Sequence, residues 1–299
     1  MANLKSWIVA ARLRTLPLAF SSILVGSSLA ASRVPLDYTI TGLTLLTAVL
    51  LQVLSNFAND YGDAVSGVDS DVRKGPSRMV QSGEITKEAM KRALITFTLL
   101  TLFSGVLLLL FSFRYNWGLI LLFLLLGLAA IIASIKYTVG KNPYGYAGFG
   151  DVFVYLFFGL VSVGGTYFLQ TQTFEWQVIL PASSMGLFAV GVLNVNNIRD
   201  IESDKLTGKF SIPVRIGKKN AVIYHALLLE AGLLLSVLFA FLNFQSGWSL
   251  IFLVVAIPLF LNIRAVRSKP ASALDPYLKQ MALSTLLFSV LFAIGQYLN

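Results

Sequence analysis

Four aspartates offer the plainest chemistry in this sequence: Asp60 and Asp63, three residues apart, and Asp200 and Asp204, four apart. On a continuing helix such spacings share a face, so each pair would aim two carboxylates the same way. The first pair sits in Asn56-Phe-Ala-Asn59-Asp60-Tyr-Gly-Asp63, the second in Asn196-Asn197-Ile-Arg199-Asp200-Ile-Glu-Ser-Asp204-Lys205. Two facing pairs would repel each other unless a cation lay between them. Hard oxygen ligands suit Mg2+, which takes one or two carboxylates and completes its shell with water and substrate phosphate. Asn56, Asn59 and Asn197 would act as carbonyl ligands or orient the carboxylates. Basic residues accompany both pairs: Arg73, Lys74 and Arg78 in one segment, Arg199, Lys205, Lys209 and Arg215 in the other. Carboxylate-bound metal beside Lys and Arg is a way to hold a diphosphate.

A single DxxD matches often by chance, and charged loops usually meet only water. Two asparagine-flanked pairs at equivalent places are far harder to attribute to chance. Neither segment is an EF-hand, because the first lacks the Glu at position twelve from any suitable Asp start and both adjoin apolar helices. No Walker GxxxxGK[ST] is present, which argues against an ATP-driven pump. The chain has no cysteine and one histidine, His225, so thiolate chemistry and multi-histidine metal sites are excluded. His225 has no partner motif, and a structural role is expected for it.

The elements that must position these groups are read from composition. The 299 residues are 56% hydrophobic and 12% charged, with a mean hydropathy of +0.76. Soluble domains carry roughly 25% charge, so a water-soluble globule and a disordered chain are both excluded. Spanning helices need about 20 apolar residues, and nine stretches qualify: 16–32, 38–58, 93–113, 117–135, 151–169, 177–195, 222–243, 248–264 and 281–297. The first is not a signal peptide: no small-residue cleavage site follows it and further spans do.

Of the 23 Lys and Arg, only Arg33 and Arg114 fall outside the N-terminus and alternate connections. This bias predicts a cytoplasmic N-terminus and an outer C-terminus. The net charge of +9 then reflects orientation and anionic substrates rather than nucleic acid. Glu230 falls inside a span and should face other helices or water. The expected fold is an all-α polytopic bundle of nine transmembrane helices forming one domain over 1–299. Its cytoplasmic Asp-rich loops are 59–92 and 196–220. Asp60 and Asp200 each follow the second helix of a four-helix group, which suggests two four-helix repeats plus one helix.

At these residues the sequence resembles the membrane-embedded aromatic prenyltransferases of the UbiA superfamily, over nearly its full length. The likeness is nearest to the branch that prenylates 1,4-dihydroxy-2-naphthoate. It is carried by Ala11-Arg-Leu-Arg-Thr-Leu-Pro-Leu18, by Leu54-Ser-Asn-Phe-Ala-Asn-Asp-Tyr-Gly-Asp63 with Gly75-Pro-Ser-Arg78, and by Asn196-Asn-Ile-Arg-Asp200 with Asp204. Tyr137-Thr-Val-Gly, Pro143-Tyr-Gly-Tyr146 and Gly150-Asp151 add to it. One departure stands out. The broader motif NDxxDxxxD would place an acid at 67, where this chain has Gly67, with Asp69 and Asp71 just beyond. Whether either joins the metal shell stays open.

The resemblance implies transfer of a polyprenyl group from polyprenyl diphosphate to 1,4-dihydroxy-2-naphthoate in a bacterial cytoplasmic membrane. Diphosphate and CO2 would be lost and demethylmenaquinone formed. Mg2+ would be held by Asp60, Asp63, Asp200 and Asp204. Arg78, Arg199, Lys205 and Lys209 would neutralise phosphate, and Tyr137 and Lys141 would touch the diphosphate or the aromatic substrate. The prenyl tail accounts for a membrane fold, since leaving it in water costs about 25 cal/mol per Å2. Phe153, Tyr155, Phe157, Phe158 and Tyr167 would line a tunnel for it or simply pack with lipid and core. Two other readings remain: a different aromatic acceptor, 4-hydroxybenzoate or homogentisate, and a cation-coupled secondary transporter. Transporter sites lie near the bilayer midplane, whereas these acids lie at a helix end.

Overall fold

The computed structural model describes residues 3–66 and 78–299; Asp69, Asp71 and the Gly75-Pro-Ser part of the quoted motif lie outside the described residues. Among the described residues every regular element is helical, and nine helices are long and apolar enough to cross a membrane. They are Leu4–Ala31, Tyr38–Ser66, Lys87–Phe113, Trp117–Lys136, Gly150–Thr171, Trp176–Arg199, Ile212–Leu242, Gly247–Ser268 and Asp275–Leu298. The chain is an integral membrane protein.

Local chemistry sets where the helices begin. The side chains of Asn3, Thr86 and Asn116 accept the backbone N–H of Ser6, Ala89 and Leu119, satisfying donors that the first turn leaves orphaned. Pro17, Pro213 and Pro276 occupy first-turn positions, where a missing N–H costs nothing.

The differences from the expected spans lie where helices run out of the apolar layer. The first span carries an additional helix, Leu4–Ala11, broken from Leu16–Ala31 at Arg12, which takes φ 48° and ψ 56°. The second continues eight residues beyond the expected end, to Ser66, and so carries Asp60 and Asp63 on regular helix. The seventh begins at Ile212 and bends at Gly217, where φ is 76°. Hydropathy does not report such polar extensions.

The sixth span is the centre of the bundle; 78% of its most apolar window is buried. It packs on the fifth, seventh and ninth spans, and the ninth closes onto the first and eighth. A core around Val163, Met185, Phe188, Phe252 and Phe288 joins these elements. Gly159 and Gly186 allow the fifth and sixth spans to touch backbone to backbone: a Cβ on Gly159 would lie 2.6 Å from the Ala182 carbonyl oxygen. The second, third and fourth spans form their own layer. Leu54, Phe57 and Ala58 pack there with Met79, Val80, Ile85 and Met90.

Within the fifth span, Tyr155–Gly164 is wound as a π-helix. The Phe158 carbonyl accepts a hydrogen bond from the Ser22 hydroxyl of the first span at 2.7 Å. Ten residues of π-helix are rare, and such windings recur at functional sites. Two other expectations resolve here. His225 is buried between spans, its Nε2 3.0 Å from Asn262 Oδ1, as a structural histidine would be. Of the two surroundings expected for Glu230, other helices or water, the first does not hold: it is exposed on the seventh span, in line with Ile223, Leu227 and Leu234.

Candidate active site

The second span ends in the first acidic motif. Asp63 is buried, paired with the guanidinium of Arg78 and accepting the hydroxyl of Tyr146. Arg78 also donates to the Asn59 carbonyl. Gly62, between the two aspartates, allows the Thr138 backbone to pass; a Cβ there would lie 2.7 Å from the Thr138 carbonyl carbon and oxygen. The Thr138 hydroxyl donates to the Ala58 carbonyl at 2.9 Å and to Asn59 Oδ1 at 3.3 Å. Asn56 donates to the Ala11 carbonyl and to the Thr15 hydroxyl, tying the second span to the break in the first.

The second motif is not one continuous helix. The sixth span ends at Arg199, Asp200 turns the chain (φ −98°, ψ 9°), and a short helix, Ile201–Leu206, carries Asp204. Asp200 is gripped by Arg199, Nε to Oδ1 and Nη2 to Oδ2, both at 2.8 Å. Arg199 reaches on to Asp275 at 2.7 Å, and Asp275 accepts Arg14 at 3.0 Å. The order Asp200, Arg199, Asp275, Arg14 thus strings alternating charges from the sixth span through the ninth to the first. Asp204 accepts Lys209 Nζ at 3.1 Å and lies 3.4 Å from the Ser211 hydroxyl.

A cavity of about 310 Å3 brings the motifs together. Its polar lining includes Asn56, Asn59, Asp63, Arg78, Tyr137, Asp200, Asp204 and Lys209, with Arg12 and Arg14. Its apolar lining includes Phe153, Phe157, Phe158 and Val161 from the fifth span, with Leu18 and Leu51. Tyr144 stacks on Phe153 with ring centres 4.0 Å apart and meets Tyr137 edge-on at 5.4 Å.

The electrostatics follow from burial. Burial pushes the Asp204 carboxyl above the usual carboxylate range; Lys209 pulls it back, and the charges of Asp200 and Asp63 push it up again. The two motifs therefore feel one another. Burial also raises the Tyr137 phenol, helped by Asp151, Asp204 and Asp63, and raises Tyr146, helped by Asp63. Both remain hydrogen-bond donors at neutral pH. Among the described residues no three acids converge closely enough to hold an ion by themselves.

Several expected site residues are placed elsewhere. Asp60 is off the cavity wall; its oxygens accept the backbone N–H groups of Met79 and Val80. Asn197 is buried behind the wall, its Oδ1 without a hydrogen-bond partner. Arg199 is enclosed by its carboxylates and orients Asp200 rather than facing the cavity. Lys141 and Lys205 are exposed and do not line the cavity. Of the five aromatics, Tyr155 bonds Ser183 and Tyr167 bonds Glu175 at the opposite end of the bundle.

Tyr146 is a direct partner of the first motif that the motif reading missed. Its hydroxyl holds Asp63, and its carbonyl accepts Phe210 N–H at 2.8 Å, next to Lys209 of the second motif. Arg215 fastens the same seam through the carbonyls of Ala147 and Phe210. The repeated tyrosines of Pro143-Tyr-Gly-Tyr146 were the available signal.

Fold and site together define a polytopic helical membrane protein with an acidic, arginine-rimmed pocket that continues between aromatic walls. The chain belongs to the UbiA prenyltransferase family, whose profile matches residues 19–290, and it is by that membership an enzyme. It is 44% identical over 300 residues to the 1,4-dihydroxy-2-naphthoate octaprenyltransferase of Escherichia coli (strain K12), covering 100% of this chain and 97% of that one. The enzyme of the same name from Mycobacterium tuberculosis is 34% identical, over 98% of this chain and 97% of the relative. The fold is similar to that of a UbiA homolog from Archaeoglobus fulgidus solved with DMAPP and Mg2+, at a TM-score of 0.66 and 17% identity. That likeness covers 97% of this chain and 99% of the other.

Proposed function

We propose that this protein transfers a polyprenyl group from polyprenyl diphosphate to 1,4-dihydroxy-2-naphthoate, releasing diphosphate and CO2 and giving demethylmenaquinone in its hydroquinone form. The observation that carries the reading is the lining of one cavity, which combines residues of both acidic motifs, Arg78 and Lys209 with stacked aromatics. A diphosphate headgroup matches the polar lining and an allylic chain the aromatic lining. The names of the relatives supply the acceptor.

A divalent cation fits the polar lining. The Asp204 carboxyl is pushed up partly by Asp200 and Asp63, a mutual repulsion that a cation would relieve. Because no three acids converge among the described residues, an ion would take one or two carboxylates from Asp63, Asp200 and Asp204 and the remainder from water and phosphate. Mg2+ is the proposed ion, matching the Archaeoglobus homolog. When bound, it supplies charge neutralisation to the diphosphate as the allylic C–O bond breaks.

The chain's own residues do the rest. Arg78 and Lys209 hold phosphate oxygens and favour the departing charge. Tyr137, kept protonated, donates from the same lining. Phe153, Phe157 and Tyr144 exclude water from the allylic carbon and present ring faces to its positive charge. The ring carbon that bears the carboxylate forms the new C–C bond. The carboxyl then leaves as CO2, returning its electron pair to the ring. Arg12, in the cavity lining, favours an anionic acceptor there. The whole chain acts as one prenyltransferase domain in a bacterial cytoplasmic membrane, with the Asp-rich segments and N-terminus on the cytoplasmic side and the C-terminus outside.

The test is incubation of the purified protein with a polyprenyl diphosphate and Mg2+, offering 1,4-dihydroxy-2-naphthoate, 4-hydroxybenzoate and homogentisate in separate reactions. Mass spectrometry should find a decarboxylated prenyl product from the naphthoate alone. A product from either of the others and none from the naphthoate would defeat the assignment.

A further inference from the structure

Asp60 belongs to the acidic motif by sequence, yet its surroundings give it a different task. It is 1% exposed and its two oxygens accept consecutive backbone amides, Met79 N–H at 3.1 Å and Val80 N–H at 3.2 Å. A carboxylate that takes two N–H groups is a strong, directional anchor. The turn it holds is compact: Ser82 N–H reaches the Arg78 carbonyl at 2.9 Å, and Ile85 N–H reaches the Met79 carbonyl at 2.9 Å. Met79, Val80 and Ile85 are buried against Leu54, Phe57 and Ala58, so apolar packing fixes the far side of the turn and Asp60 the near side.

The residue just before this anchor is Arg78, whose guanidinium reaches the cavity wall, Asp63 and the Asn59 carbonyl. The peptide joining 78 to 79 is planar. Holding the Met79 N–H therefore fixes the plane from which the Arg78 side chain departs. We infer that Asp60 is a positioning residue, anchoring the 78–80 turn so that Arg78 is aimed across the cavity mouth, and that it touches neither the cation nor the diphosphate. The inference rests on the proposed function for the meaning of that mouth. It divides the two aspartates of one motif into a ligand, Asp63, and a latch, Asp60.

The experiment compares Asp60→Ala, Asp63→Ala, Arg78→Ala and Val80→Pro in the full chain. Mn2+ binding is followed by electron paramagnetic resonance in the presence of inorganic diphosphate, and amide exchange is followed in peptides spanning 78–82. Asp60→Ala should keep Mn2+ affinity within about two-fold, while loss of the ligand in Asp63→Ala should weaken it about ten-fold or more. Exchange at residues 79 and 80 should accelerate in Asp60→Ala. The KM for prenyl diphosphate should rise as in Arg78→Ala, and the double variant should be no worse than Arg78→Ala alone. Mn2+ affinity falling in Asp60→Ala to the Asp63→Ala level, or unchanged exchange at 79–80, would overturn the inference. Should Asp60→Ala fail to fold, Val80→Pro removes one of the two donors and leaves the carboxylate in place. It should keep Mn2+ affinity and raise the KM; weakened Mn2+ binding or an unchanged KM there counts against the latch. Absence of prenylation by the unsubstituted protein with every acceptor would defeat the proposed function while leaving the Mn2+ and exchange results readable.

Discussion

A phenol hydroxyl on a buried carboxylate is a small contact with a large lever, and Tyr146 has it. Its hydroxyl bonds Asp63 while its carbonyl holds the strand of chain that carries Lys209. Removing one charge-assisted hydrogen bond costs about 1.5–3 kcal/mol, so Tyr146→Phe should raise the half-saturating Mg2+ concentration about ten-fold with the fold intact. A titration of activity against Mg2+ reads this directly, and an unchanged midpoint would remove Tyr146 from the site. At the opposite end of the bundle, Glu175 accepts Arg33 at 2.9 Å and Tyr167 at 2.7 Å. These bonds, Arg33 first, hold its carboxyl below the usual carboxylate range. A depressed carboxyl stabilises the fold above its unfolded pKa, and that contribution is lost as pH falls through the folded value. The pair is partly exposed and screened, so the effect is small. Glu175→Gln should lower the melting temperature slightly at neutral pH, and the difference should vanish in acid; a gap that widens in acid would contradict the assignment.

At the scale of elements, the nine membrane-crossing stretches were legible because run length and charge alternation are both one-dimensional quantities. The polar helix ends were not. Leu4–Ala11, Asn59–Ser66 and Ile212–Ala221 carry charges that hydropathy reads as loop, yet they continue as helix once capped or packed. The i,i+3 spacing put Asp60 and Asp63 near one face but left their directions open. Asp60 is claimed by backbone amides 19 and 20 residues away, donors that every residue carries and no motif marks. Tyr146 escaped for a related reason, its partner lying 83 residues back. Lys141 and Lys205 fit the charge pattern, but both are exposed to solvent, Lys141 in the bend after the fourth span and Lys205 on the short helix Ile201–Leu206. Gly62 shows the converse, a residue whose neighbour explains it. With Thr138 backbone atoms 2.7 Å from its would-be Cβ, Gly62→Ala must separate the second span from the 137–139 turn. Overpacking of this kind costs about 1–3 kcal/mol. Thermal unfolding in detergent should report the loss, and activity should fall with it; a variant as stable and active as the parent would show that the turn can yield.

For the molecule as a whole, the bilayer is the solvent that decides which charges are tolerated. The acids and bases that line the cavity are compensated, Asp63 by Arg78, Asp204 by Lys209, and Asp200 and Arg14 through Arg199 and Asp275 behind the wall. Glu230 is not, for it stands on the outer face among Ile223, Leu227 and Leu234. An ionisable group at that depth costs about 2.5–3.5 kcal/mol when charged. Glu230→Leu should therefore raise the melting temperature in lipid nanodiscs and leave prenylation unchanged; a drop in stability would mean that the carboxyl has a partner there.

The central claim is that two motifs 140 residues apart act on one diphosphate. Groups that serve a single bound unit have strongly non-additive effects, whereas independent sites add. The most direct measurement is the kcat/KM for prenyl diphosphate of Asp63→Asn, Asp204→Asn and the double variant. The account predicts two severe single losses and a double variant little worse than either. Losses that multiply, or a fully active Asp204→Asn, would contradict it.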